Sequence, residues 1–408
     1  MMAELRTERH VLKPSHPYYN RIRNFCHQSK NLYNHANYLV RQAFVKESEW
    51  LRYKELDRLL KQDKDYPDYR EMPTAQSAQQ TLRMLDQAWK SFFASIKDWK
   101  QHPWKYKGKP KLPKYLKKDG CYCLVLTNQN CRVRDGCIRF PKVFEGFVIS
   151  PKFLSDSRFR SFRQARFVPH GTFIAVELVY QIRIGAEKGD NGRYIAMDLG
   201  VNNLAAVVNN WGSEPFILNG RPLKSMNQFA NKEKAHYQSV LKQVNGRYTS
   251  RRLNKLMAKR NHKINDYLHK ASKYIIRYCM ANQVSRIIIG KNKNWKQEPG
   301  LGKKANQNFV QIPFNRFIQM LTYKAREKGI TVILTEEGYT SGTSFLDNEE
   351  PVKRYYNKAR RIYRGLFRSD DGTFINADIN GAFQIMKKVI PIQWDRGCVL
   401  HPFIVTAA

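Results

Sequence analysis

The sequence predicts a multidomain α+β protein: an N-terminal helical domain, an antiparallel β-barrel, and an α/β domain that fills the second half of the chain. Three observations carry that reading. Apolar residues recur at helical spacing through the first hundred residues. Short β-like runs broken by turn signals follow, to about residue 183. From Tyr194 onward, buried-strand patterns alternate with long amphipathic ones.

In order, residues 5–13 alternate weakly and add a strand, within segment 1–15, to a later sheet. From Tyr18 to about Glu47, Ile22, Phe25, Leu32, Tyr33, Ala36, Leu39, Val40 and Phe44 form one helical stripe. Tyr53 to Leu60 makes a shorter helix. Thr74 caps a third, carrying Ala78, Leu82, Leu85, Ala88, Trp89, Phe92, Phe93 and Ile96. The helical domain therefore spans 16–100. Between Lys100 and Lys118 prolines forbid helix and Lys105, Lys107, Lys109 and Lys111 crowd together, as in a phosphate-facing strap or a solvated linker. Runs at 122–127, 131–134, 137–140, 147–150, 159–168 and 173–183, with turns at Asp135-Gly136 and His170-Gly171, read as an antiparallel barrel or sandwich, taken as a barrel domain over 101–185.

The α/β domain, 190–392, is organised around Tyr194 to Val208. An apolar strand ends in Asp198 and Leu199, Gly200 and Asn202-Asn203 reverse the chain, and Leu204 to Val208 returns antiparallel. A carboxylate in a strand covered on both faces is costly unless a cation or donors compensate it, so Asp198 either meets such a partner or merely ends the strand and caps the turn. A third strand, a helical hairpin broken near Asn245-Gly246, a strand at Arg286–Gly290, a helix at Pro313–Lys328 and a strand at Ile330–Thr335 follow. The last helix opens with Ala377-Asp378-Ile379-Asn380. A tail, 393–408, closes the chain. In the hairpin, Arg251, Arg252, Lys255 and Lys259 lie off the apolar stripe and make a basic face.

Lys and Arg number 72 against 34 acids, a net charge of +38, and the pI is near 10.0. That much charge implies a polyanionic partner. With 22 Tyr, 22 Phe and 7 Trp interleaved, nucleic acid is favoured over a membrane surface. No apolar run approaches a bilayer span and residues 1–10 lack a secretory core, so the expected location is cytoplasmic, associated with the nucleoid. The seven cysteines include no Cys-x-x-Cys pair, which argues against a disulfide framework or zinc site.

The order strand with central Asp, two returning strands, helix, strand, helix, strand, final helix is that of an RNase H-like nuclease. Asp198 and Asp378 stand where two-metal phosphodiester hydrolysis needs acids from separated elements. Met197-Asp198-Leu199-Gly200-Val201, Tyr339-Thr340-Ser341 and Asn376-Ala377-Asp378-Ile379-Asn380-Gly381-Ala382 resemble the motifs of TnpB, the transposon-encoded RNA-guided nuclease family ancestral to type V CRISPR effectors. Trp89-Lys90-Ser91-Phe92-Phe93, Gly108-Lys109-Pro110 and the β-rich middle are similar to that family's recognition and wedge domains.

The resemblance implies a RuvC-type DNA endonuclease using Mg2+ (or Mn2+). Its partners would be a guide RNA from the transposon end and double-stranded DNA beside a short adjacent motif, with base pairing choosing the sequence. Two departures stand out. The family usually ends the strand equivalent to Arg286–Gly290 with a catalytic Glu, but here Lys291 follows Gly290. Some relatives place that acid at the end of the next strand, which nominates Glu337 as the third metal ligand beside Asp198 and Asp378, with Glu336 and Glu298 as alternatives. The family also commonly carries a zinc ribbon between Tyr-Thr-Ser and the last acid. Insert 340–376 has no cysteine, so no zinc is expected; its Arg360 and Arg361 are instead candidates for holding nucleic acid. A non-cleaving RNA-guided DNA-binding protein, repressor-like, is the alternative that Lys291 keeps open. A transposase acting directly on DNA ends is a weaker third.

Overall fold

A computed structural model describes residues 2–292, 311–363, 365–391 and 402–407. The chain divides into two compact units, Met2–Arg183 and Ile184–Ala408.

The first unit runs β1 (Met2–Leu12), α1 (Tyr19–Glu47), α2 (Tyr53–Gln62), α3 (Ala75–Gln101), β2 (Leu124–Thr127), β3 (Arg132–Arg134), β4 (Cys137–Arg139), β5 (Val148–Ile149), β6 (Phe159–His170) and β7 (Phe173–Ile184). Helix α3 starts at Thr74 because the Thr74 hydroxyl accepts the Ser77 N–H while the Ser77 hydroxyl accepts the Thr74 N–H, satisfying donors the first turn leaves open. Its apolar stripe packs on that of α1, where fully buried Trp89 donates from Nε1 to Asn37 Oδ1 at 3.1 Å. Each fully buried Leu or Ile of these stripes is worth about 1.5–3 kcal/mol.

Helix α1 also holds the proline- and lysine-rich strap. Lys30, Asn34 and Asn37, at helical spacing, donate to the carbonyls of Lys118, Leu116 and Pro113 at 2.8, 2.9 and 3.2 Å, replacing the partners a strap without secondary structure lacks.

The expected barrel is corrected. The strands make an open four-stranded sheet, β1-β7-β6-β2, and a separate three-stranded one, β3-β4-β5. The reason is that α1 and α3 pack against β6 and β2 and share their core, so the helices bury the sheet face that closure would otherwise enclose.

The second unit runs β8 (Tyr194–Asp198), β9 (Asn203–Asn209), β10 (Phe216–Asn219), α4 (Arg221–Asn245), α5 (Arg251–Ala281), β11 (Arg286–Gly290), α6 (Phe314–Glu327), β12 (Thr331–Thr335), β13 (Leu366–Arg368), β14 (Phe374–Asn376), α7 (Ala377–Lys387) and β15 (Phe403–Val405). One six-stranded sheet has the order β12-β11-β8-β9-β10-β15. β8, β11 and β12 are parallel, with Ile289 level with Met197 and Gly290 level with Thr335, so their carboxyl ends share one edge. β9 returns antiparallel to β8 and puts Ala206 beside Asp198.

Side chains of a strand alternate between faces. Ile195, Met197, Ile287 and Ile289 join a core with α4, α5 and α6, whereas Ala196 and Ile288 join the core of α7. By that parity Asp198 and Gly290 belong to the α7 face.

Insert 340–376 docks on the same helix. Asn380 donates to the Thr343 carbonyl at 2.8 Å and accepts the Phe345 N–H at 2.9 Å, and the Phe345 ring stacks on Phe383 with centroids 4.3 Å apart. Arg360 ties the insert together through Glu349 at 2.7 Å, Asp347 at 3.8 Å and Asp370. Its guanidinium is engaged with acids inside the insert. No described helix is long and apolar enough to cross a membrane.

Candidate active site

Three carboxyl side chains, each delivered by a different element, line one cavity of about 510 Å³ at the carboxyl edge of the parallel strands. Asp198 is the last residue of β8, clamped between β9 and β11. Asp378 lies in the first turn of α7. That turn forms because Asn376 Oδ1 accepts the N–H groups of Asp378 and Ile379 at 3.0 and 3.2 Å. Glu337 follows β12 by two residues, in a turn where Tyr339 takes a left-handed φ of 66° and Thr340 donates from both its N–H and its hydroxyl to the Glu337 carbonyl.

Each acid has a distinct set of partners. Asp378 accepts from Asn203 Nδ2 at 2.6 Å and faces the Arg361 guanidinium at 3.3 Å. Glu337 is held at both ends by Asn292, whose Oδ1 accepts the Glu337 N–H at 2.9 Å and whose Nδ2 donates to Oε2 at 3.3 Å. Its other carboxyl oxygen, Oε1, is buried with no hydrogen-bond partner. Burial pushes the Glu337 carboxyl up to about 7, with Lys388 pulling the other way. Burial first, then the Glu337 and Asp378 charges, raise the Asp198 carboxyl well above the usual range, against Arg361.

This is the chemistry of a hard-cation site: oxygen donors from three elements, mutual repulsion that a positive charge relieves, and one orphaned buried oxygen. Asp198, Glu337 and Asp378 are the residues that could hold a divalent ion here. As placed, with Asp378 turned to Arg361, no three His, Cys, Asp or Glu side chains among the described residues form a ligating cluster.

Of the sequence candidates, Asp198, Glu337 and Asp378 are brought to one cavity. Glu336 is exposed, and Glu298 lies outside the described residues. Lys105, Lys107, Lys109 and Lys111 are exposed in the first unit, Lys105 within 3.4 Å of Asp98. Arg251, Arg252, Lys255 and Lys259 are exposed on α5, with Arg252 over the Tyr237 ring. Arg361, read as a nucleic-acid contact, lines the cavity. Asn203 and Asn292 went unread as site residues. Their position just past a strand's turn or end was the available signal.

Two stretches of the chain match protein-family models. Residues 175–296 match the family described as "Probable transposase" (OrfB_IS605), and residues 314–385 match "Cas12f1-like, TNB domain". The chain is 23% identical over 416 residues to the TnpB-like protein ORF457 of Acidianus two-tailed virus, covering 91% of this chain and 84% of that protein. It is 27% identical over 231 residues to the CRISPR-associated endodeoxyribonuclease Cas12f2 of Micrarchaeota archaeon (strain CG1_02_47_40), covering 53% of this chain and 40% of that protein. Among solved structures, one titled as a Cas12f1-sgRNA-target DNA complex aligns at TM-score 0.37 and 14% identity, covering 93% of this chain and 98% of that one. The sequence matches fall on both strands and the helix that carry the acids, and make the chain similar to a TnpB-like protein and to a type V effector.

Proposed function

We propose that this chain is an RNA-guided DNA endonuclease that hydrolyses phosphodiester bonds with Mg2+, with Mn2+ as a substitute. The observation that carries the reading is the convergence of Asp198, Glu337 and Asp378 on one cavity from β8, the end of β12 and α7. Such an ion, when bound, supplies Lewis-acid activation of water and neutralises charge on the departing oxygen. Asp198 supplies a carboxyl at the end of a strand that is paired with β9 and β11. Asn292 and Asn203 orient the Glu337 and Asp378 carboxyls, and Arg361 offers a guanidinium where a phosphate would enter. No zinc has a place in this reading, because insert 340–376 holds no cysteine and is fastened by Arg360 and Asn380 instead.

The +38 charge supports RNA and DNA partners: a guide from the transposon end and a duplex target with a short adjacent motif, in the cytoplasm on the nucleoid. Exposed Lys105, Lys107, Lys109, Lys111, Arg251, Arg252, Lys255 and Lys259 would give backbone affinity. A second reading, RNA-guided DNA binding without cutting, is favoured by the Arg361–Asp378 pair, which leaves the acids short of a ligating cluster.

The test uses the ribonucleoprotein purified after expression with flanking DNA, given a matched duplex and Mg2+. Cleavage that is lost in Asp198→Ala and Asp378→Ala supports the nuclease. Binding without cutting supports the second reading, and cutting without RNA supports direct action on DNA ends.

A further inference from the structure

Glu337 reaches the cavity by an indirect route. It leaves the sheet beyond β12, and in the order β12-β11-β8 the strand β11 stands between it and Asp198. Neighbouring strands are about 4.8 Å apart, so the Glu337 side chain must pass over the end of β11. Gly290 is the residue at that crossing.

A Cβ on Gly290 would lie 2.7 Å from Glu337 Cγ, 2.8 Å from Glu337 Oε1 and 2.5 Å from Ile385 Cδ1. Real Cβ contacts are not that short. The Gly290 backbone is not in the left-handed region, so its conformation suits any residue; what position 290 requires is empty space. Two residues on, Asn292 grips the Glu337 N–H and Oε2 together.

We propose that Gly290 and Asn292 are positioning residues for the Glu337 carboxyl: Gly290 leaves open the volume the carboxyl occupies, and Asn292 holds it there from both ends. Position 290 and Glu337 are then alternative sources of atoms for one space. A side chain at 290 excludes Glu337, and a carboxyl grown from 290 can replace it. This rests on the reading of Glu337 as a cation ligand, but the claim about space does not.

Two measurements on the full chain separate the parts. Thermal melting of Gly290→Ala, Glu337→Ala and the double variant tests the space. Gly290→Ala is expected to lower Tm by about 4 °C or more with Glu337 present and by less than about half as much in the Glu337→Ala background, where only the flexible end of Ile385 still stands in the way. Equal shifts in both backgrounds, or none in either, overturn the proposal whatever the chain's activity. Titration calorimetry with Mn2+ alone tests the carboxyl. Gly290→Ala and Asn292→Ala are expected to weaken binding about 10–100-fold, and Gly290→Glu with Glu337→Ala to recover most of it. Wild-type affinity in Gly290→Ala and Asn292→Ala overturns the positioning role. Absence of Mn2+ binding by the wild type overturns the nuclease reading instead, with the melting cycle still deciding the geometry.

Discussion

Gly381 stands directly against the Asp198 carboxyl: a methyl group on its Cα would lie 2.7 Å from Oδ2. On a free helix surface Gly→Ala adds about 1 kcal/mol of stability. Here the new methyl meets a buried carboxyl whose backbone is paired with β9, so the carboxyl must rotate away from its place in the cavity. Gly381→Ala is therefore expected to cost about 1–3 kcal/mol, and to abolish cleavage by displacing Asp198. Thermal melts with parallel cleavage assays check this, and a rise in Tm would mean that α7 has slack.

The adjacent acids after β12 should separate cleanly. Glu337→Gln is expected to lower cleavage about a hundredfold or more, while Glu336→Gln, whose side chain is exposed, stays within about threefold of the parent. Single-turnover rates on one matched duplex make the comparison. The reverse order would reassign the third acid to Glu336.

Stability should fall as pH rises toward neutrality. An unfolded Glu ionises near 4.5, whereas the Glu337 carboxyl holds its proton to about 7. Between those values unfolding releases a proton, so raising the pH favours the unfolded chain, by on the order of 3 kcal/mol once the window is crossed. Asp198, raised in the same direction, adds to the slope. Glu337→Gln should flatten this part of the profile. Mg2+ or Mn2+ should raise Tm more at pH 8 than at pH 6, because it relieves a repulsion that exists only when the acids are ionised. Melting curves across pH 4–9, with and without the ion, measure both effects.

Arg361 occupies Asp378 in competition with any cation. Since the pair is half-exposed, Arg361→Gln is expected to cost no more than about 1 kcal/mol without metal. Mn2+ should bind several-fold more tightly to the variant, because Asp378 no longer has to exchange partners. Calorimetry reads the affinity. Weaker binding in Arg361→Gln would show that the guanidinium supports the site rather than blocking it.

Much of the second unit was legible before folding, because burial leaves a local trace. Apolar runs of strand length gave β8, β11 and β12. The Gly200 turn gave the β8–β9 hairpin, and helical spacing gave α5 and α7. Asp198 was visible because an acid inside an apolar strand breaks its local pattern; an acid opening a helix is ordinary, and Asp378 was singled out by its place after Asp198 in the order of elements. The barrel was misread for a matching reason. Short strands and turns announce a sheet, but whether its edges meet depends on what covers its face, and here α1 and α3 do.

Sequence by itself determined the order of the elements, the charge that calls for a nucleic-acid partner, and the two acids at β8 and α7, since each is written in neighbouring residues. Tertiary structure alone decided which of Glu336 and Glu337 turns inward, that Arg360 folds back onto Glu349 while Arg361 faces Asp378, and that Gly290 leaves room for Glu337. Those choices depend on strand order and on how closely α7 approaches the sheet, distances set between residues far apart in the chain.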